Sequence, residues 1–148
     1  MTAKQYLSQV QRLNRMISNK LSEIYQLKTL ACNISVINEG THVQTSSDND
    51  KIGNMVASIV DLENETEKHI QDFIKIRKKI ISQIDNITDN RYYSILFGRY
   101  IENKSFEDIA DGMGYSWRQV MRLHNEAVEN FERIYGKEFL SLNVIYGQ

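Results

Sequence analysis

Proline is absent from the whole chain, and glycine occurs only seven times in 148 residues. Proline breaks helix interiors, so its absence fits long uninterrupted helices. A single cysteine, Cys32, excludes an intrachain disulfide and fits a reducing compartment. No apolar run approaches the roughly 20 residues that cross a bilayer. The opening Met1-Thr2-Ala3-Lys4-Gln5-Tyr6 lacks the apolar core of a signal peptide. A cytoplasmic protein with no membrane partner is therefore expected. Excess charge of either sign is also missing, with 18 Lys+Arg against 19 Asp+Glu and a net charge of −1. A strongly basic chain would point to nucleic acid by itself; here such affinity has to come from local pattern. The 41% apolar and 25% charged residues are those of an ordinary globular protein.

Catalytic chemistry is also lacking. His42, His69 and His124 do not have metal-ligand spacing, and one cysteine cannot build a zinc site. No glycine-rich phosphate loop or G-x-S-x-G elbow occurs. No catalytic residue, metal or cofactor is expected, and the chain is not read as an enzyme.

What remains is helical periodicity. Over residues 3–31, Leu7, Val10, Leu13, Ile17, Leu21, Ile24 and Leu27 recur at steps of three or four, one stripe on a helix. Residues 32–50 lose the period and gather small polar side chains, which predicts a loop. From Ile52 the steps alternate four and three through Val56, Ile59, Glu63, Thr66, Ile70, Phe73, Arg77, Ile80, Ile84 and Ile87. That sustained 3.5 period predicts a coiled coil roughly 50 Å long. An antiparallel helical hairpin over residues 1–87 is the simplest arrangement. Two helices cover their apolar faces poorly, so self-association into a four-helix homodimer is expected. The opposite charge runs Asp61–Glu67 and Lys75–Lys79 read as solvated helix faces, with contact of the basic run to a phosphate backbone as the alternative.

From Thr88 the pattern changes to short helices with sharp punctuation, a second domain over 88–148. Thr88 can cap a helix through Tyr92, Ile95, Leu96 and Tyr100-Ile101. Glu102-Asn103-Lys104 is a turn. Ser105 caps Phe106–Met113, with Glu107 and Asp108 where the helix dipole favours acids. Gly114 supplies a tight turn, and Ser116-Trp117-Arg118-Gln119 has the capping-box form S-x-x-Q. The helix it opens runs through Val120, Leu123, Ala127 and Phe131 to about Tyr135, before Gly136. Small Ala110 permits close crossing, while Ile109, Met113, Tyr115, Val120 and Leu123 are spaced to tie both helices to a core. Together these are the requirements of a helix-turn-helix. The fold class is thus all-α.

The stretch from Leu96 to Ser116, LFGRYIENKSFEDIADGMGYS, resembles the region 4 helix-turn-helix of sigma-70 type factors, and the match extends to Val120 and Ala127. Gly114 to His124 further resembles small phage and prophage proteins of Gram-positive bacteria, similar in layout to late transcriptional regulators of the ArpU and RinA type. The long N-terminal helices depart from a sigma factor. The resemblance implies that double-stranded DNA is bound by the helix beginning at Ser116. With Val120, Leu123, Ala127 and Phe131 inward, Ser116, Trp117, Arg118, Met121, Arg122 and Asn125 face outward, with Gln119 and His124 at the flanks. Arginine reads guanine edges and Asn or Gln reads adenine in the major groove. Arg99, Lys104 and Arg91 are candidates for backbone phosphates.

Blander alternatives stand beside these: Trp117 as a core residue, Arg118 and Arg122 as an ordinary solvated face, His124 as a packed histidine. Glu126, Glu129 and Glu132 end the contact near Asn125. Residues 88–148 hold 7 Lys+Arg and 9 Asp+Glu, so non-specific affinity is weak and salt-sensitive. The apolar tail 139–146 either packs back on this domain or meets a partner. A regulator of phage or prophage transcription is the expected function, its N-terminal helices dimerising or touching RNA polymerase. The alternatives are a small terminase-like packaging or structural oligomer, and a module gripping polymerase or a sigma factor.

Overall fold

A computed structural model describes the backbone of residues 1–39 and 46–140 and the side chains of 1–34 and 50–140. Five α-helices occur there: α1 (Ala3–Glu39), α2 (Ser46–Asp85), α3 (Asn90–Leu96), α4 (Phe106–Met113) and α5 (Trp117–Phe139). No strand occurs among the described residues, and the fold is all-α. No helix of the described residues is long and apolar enough to cross a membrane.

The α1 helix opens on a capping box that the apolar period does not reveal. The Gln5 amide donates to Thr2 Oγ1 at 3.3 Å while the Thr2 amide donates to Gln5 Oε1 at 2.9 Å. The predicted loop over 32–50 is corrected: α1 continues to Glu39 and α2 begins at Ser46. Only residues 40–45 of that stretch lie outside the described backbone. Polar residues such as Asn33 lower helix propensity by tenths of a kcal/mol and do not stop a helix that lacks proline. The cluster Ser46-Ser47-Asp48-Asn49 holds the residue types that open helices.

The chain divides into two compact units, but not at 87/88. Leu13–Asp72 forms one; Met1–Arg12 with the chain from Phe73 onward forms the other. In the first, Leu13, Ile17, Ile24, Ile59 and Thr66 are buried. Thr66, polar within the predicted seam, satisfies its hydroxyl on the Leu62 carbonyl at 2.7 Å. Lys20 pairs with Glu65 at 3.2 Å and Lys28 with Glu63 at 2.5 Å, the opposite numerical order expected of antiparallel helices. Val56, a seam position, and Leu21, from the α1 stripe, are half exposed.

The other unit explains the displaced boundary. Ala3, Tyr6, Leu7 and Val10 of α1 and Ile80, Ile84 and Ile87 from the end of α2 share one core with Leu96, Tyr100, Ala127, Val128, Phe131 and Phe139. The Tyr6 ring stacks on Phe139 with centroids 4.6 Å apart. Its hydroxyl donates to Gln83 Oε1 at 2.9 Å, and Gln83 in turn donates to Glu138 at 3.0 Å. Gln11 donates its side-chain amide to the Arg99 carbonyl. The α5 helix is amphipathic over its full length, so it needs cover beyond what α3 and α4 supply.

Two further expectations are corrected. Asp89, not Thr88, caps α3: its carboxylate accepts from the Arg91 amide and side chain. The α5 helix does not end before Gly136 but runs through it to Phe139, and Gly136 is buried. A helix interior tolerates glycine at about 1 kcal/mol, and burial of Phe139 offsets that. Of the apolar tail 139–146, residues 141–146 lie outside the described residues.

Candidate nucleic-acid interface

The geometry is built by two caps and two tight turns. After α3 the chain makes one π-helical turn, Phe97–Ile101. The Glu102 amide closes it on the Phe97 carbonyl at 3.0 Å. Asn103 then adopts φ +56°, a left-handed conformation that asparagine accepts more readily than most residues. Ser105 caps α4 by accepting from the Asp108 amide at 3.1 Å. Gly114 ends α4 at φ +67° and ψ +29°, and the Tyr115 amide reaches back to the Ala110 carbonyl at 3.0 Å. Ser116 and Gln119 then form the predicted capping box at the start of α5.

Ile95, Ile109, Ala110, Val120 and Leu123 form a separate small core beneath this turn, with Tyr92, Phe106, Met113 and Tyr115 against it. Gly98 allows the close approach: a Cβ there would lie 3.3 Å from Ile109 Cγ1.

Core burial of Val120, Leu123, Ala127 and Phe131 fixes the rotation of α5. Trp117 is 51% exposed, which decides against a core role. Arg118, Arg122 and Asn125 are exposed on the same side, and Met121 is half-buried among them. Arg118 makes no ion pair with any described residue, whereas Arg122 Nε stands 3.8 Å from Glu126. No acidic residue occurs between Tyr115 and Asn125. Beyond Asn125 the surface changes character. Glu126 accepts from the Tyr92 hydroxyl at 3.1 Å. A shallow depression of about 290 Å³ there is lined by Tyr92, Glu126, Glu129, Asn130 and Arg133.

Several expected contact residues carry other duties. Ser116 accepts from the Gln119 amide at 3.2 Å, and Gln119 Oε1 accepts from the Ser116 amide at 2.9 Å. Both side chains are exposed, but their oxygens are spent on the cap. The Arg99 guanidinium lies 4.4 Å from the Phe106 ring centroid and donates to the Lys104 carbonyl at 3.1 Å. Lys104 pairs with Glu102 at 3.0 Å. Arg91 is held by Asp89 at 3.0 Å, and its hydrogen bonds hold the Asp89 carboxyl below its ordinary pKa. These phosphate candidates are thus engaged locally, while Arg118 is not.

His124 is not at the flank of the exposed face but buried. Its Nε2 is 2.8 Å from the Tyr100 hydroxyl, and the Phe106 ring meets it edge-on at 5.0 Å. Burial pushes its pKa down to about 4, with Lys4 and Arg99 acting in the same direction. The sequence held a signal for this: from His124 the steps to Val128 and Phe131 are four and three, a second inward row.

Among the described residues no three His, Cys, Asp or Glu side chains gather as a metal site would require. No curated protein and no solved structure matches the chain. Residues 37–132, more than half of the chain, match the family described as Protein of unknown function (DUF1492), and the chain belongs to that family.

Proposed function

We propose that this protein is a sequence-specific DNA-binding regulator of phage or prophage transcription in the bacterial cytoplasm, reading the major groove with the first three turns of α5. The observation that carries the reading is the exposed row Trp117, Arg118, Arg122 and Asn125, rigidly presented by a capped helix whose opposite side is core. A helix projecting from a tight turn fits the major groove. Arg118 is free of ion pairs among the described residues, so a guanine edge takes its guanidinium without first breaking a bond. The α4–Gly114–α5 segment serves as the helix-turn-helix. A homodimer formed through the N-terminal helices doubles the contact and offsets the weak electrostatics of a near-neutral chain. The role is binding rather than catalysis, and RNA polymerase is the natural second partner for such a regulator.

Selection of bound duplexes from random DNA tests this reading. A recurrent site containing a guanine step, lost in the Arg118→Ala and Arg122→Ala double variant, is the expected result. Recovery of no enriched sequence by the folded protein would overturn it.

A further inference from the structure

Two surfaces of α2 have no role in DNA reading. In the unit containing residues 73 onward, Phe73, Ile74 and Ile81 line a shallow groove of about 360 Å³ together with Arg77 and Lys78. Ile74 is 51% exposed, so apolar surface there meets solvent. Among the described residues neither Arg77 nor Lys78 makes an ion pair, although the adjacent Lys79 is held by Glu138 at 3.3 Å. In the unit Leu13–Asp72, α2 presents Val56 and Val60, 50% and 47% exposed. Glu63 and Glu67 follow them at helical spacing. Glu67 is exposed and accepts a hydrogen bond from Gln71 at 3.0 Å. One segment is apolar with cations; the other is apolar with anions.

We propose that the groove beside Ile74 and Lys78 takes residues 56–67 of α2 from a second copy of this chain, the two α2 helices lying antiparallel. This names the surface of the self-association proposed above and rests on that reading. An antiparallel register that sets Val60 opposite Ile81 of the second copy puts Lys78 opposite Glu63, which Lys28 of its own chain already holds at 2.5 Å, and one turn from Glu67, which pairs with no described cation. A parallel register sets Lys78 beside Lys78 and Glu63 beside Glu63, and like charges at a helix interface reject that pairing. Within each segment the side chains recur at helical spacing, Val56, Val60, Glu63 and Glu67 in one and Ile74, Lys78 and Ile81 in the other, a repeat of four and three.

The test uses the full chain and two charge reversals, Lys78→Glu and Glu67→Lys, with mass measured by sedimentation equilibrium. Wild type is expected at the mass of a dimer, and each variant alone at a Kd weakened about tenfold or more. An equimolar mixture of the two variants is expected to regain the dimer, because each then meets its opposite charge. Circular dichroism unchanged from wild type keeps both variants interpretable. A monomeric wild type, a dimer indifferent to either reversal, or a mixture that stays dissociated overturns the proposal. DNA binding is read on the same samples. A dimer that ignores DNA removes the regulator reading alone, and a monomer that binds DNA removes this interface alone.

Discussion

The Tyr100 hydroxyl and His124 Nε2 stand 2.8 Å apart, both residues buried, His124 on the inward side of the helix that carries the exposed arginines. Burial holds His124 neutral, with its pKa down at about 4 against an ordinary 6.5. The unfolded chain takes up a proton near pH 6.5 and the folded chain resists until about 4. The unfolded state therefore binds more protons within that window, and stability falls as pH drops through it. The loss approaches about 1.4 kcal/mol per pH unit at most. Thermal melts between pH 7 and 4 are expected to show this slope, and His124→Leu to flatten it. An equal slope in the variant would place the pH dependence elsewhere.

Arg118→Ala and Arg122→Ala are each expected to weaken specific DNA binding by about 1–3 kcal/mol. Neither should change the melting temperature, since both side chains are exposed. Arg122 stands 3.8 Å from Glu126, so its removal also leaves that carboxylate without its cation. Fluorescence anisotropy on the selected site measures both, and affinity equal to wild type in the double variant refutes the assignment.

Gly114 sits at φ +67°, yet a Cβ there meets nothing within 4 Å. The cost of substitution is therefore conformational and not a clash. Gly114→Val is expected to destabilise by about 2 kcal/mol or more, since a β-branched residue resists positive φ. Gly114→Asn should cost clearly less, because asparagine visits that region. Denaturant titrations yielding equal losses would contradict the left-handed turn.

Phe131 lies in the core with Tyr6 and Phe139. Phe131→Ala is expected to cost about 3–5 kcal/mol. Separately, a fragment of residues 88–148 is expected to lack a cooperative thermal transition, because it omits Tyr6, Leu7, Ile80 and Ile84 from that core. A sharp two-state melt from the fragment would show that the segment folds without them.

Local rules were enough for the region after Phe106. Ser105, Gly114 and the Ser116–Gln119 box act within four residues of where they stand, so their types alone predict caps and turn. The inward face of α5 followed from its own period. Long-range pairing was not visible. Nothing near Tyr6 announces Phe139, and nothing near Gln83 announces Glu138, because these contacts join segments more than fifty residues apart. The boundary expected at 87 fell where the period changes, whereas the real units are set by which apolar faces meet. The polarity of His124 masks its position in an inward row. The extent of α1 past Cys32 is hidden because propensity counts against polar residues that a helix nonetheless accepts.

The meeting of Tyr6 with Phe139 also bears on biosynthesis. The apolar side of Ala3–Val10 leaves the ribosome well before Phe131 and Phe139, which cover it and are made more than a hundred residues later. At about 5–20 residues per second the nascent chain carries that uncovered face for several seconds. Chaperone capture during translation, and slow closure of this late contact on refolding, are the natural results of a core whose members lie more than a hundred residues apart.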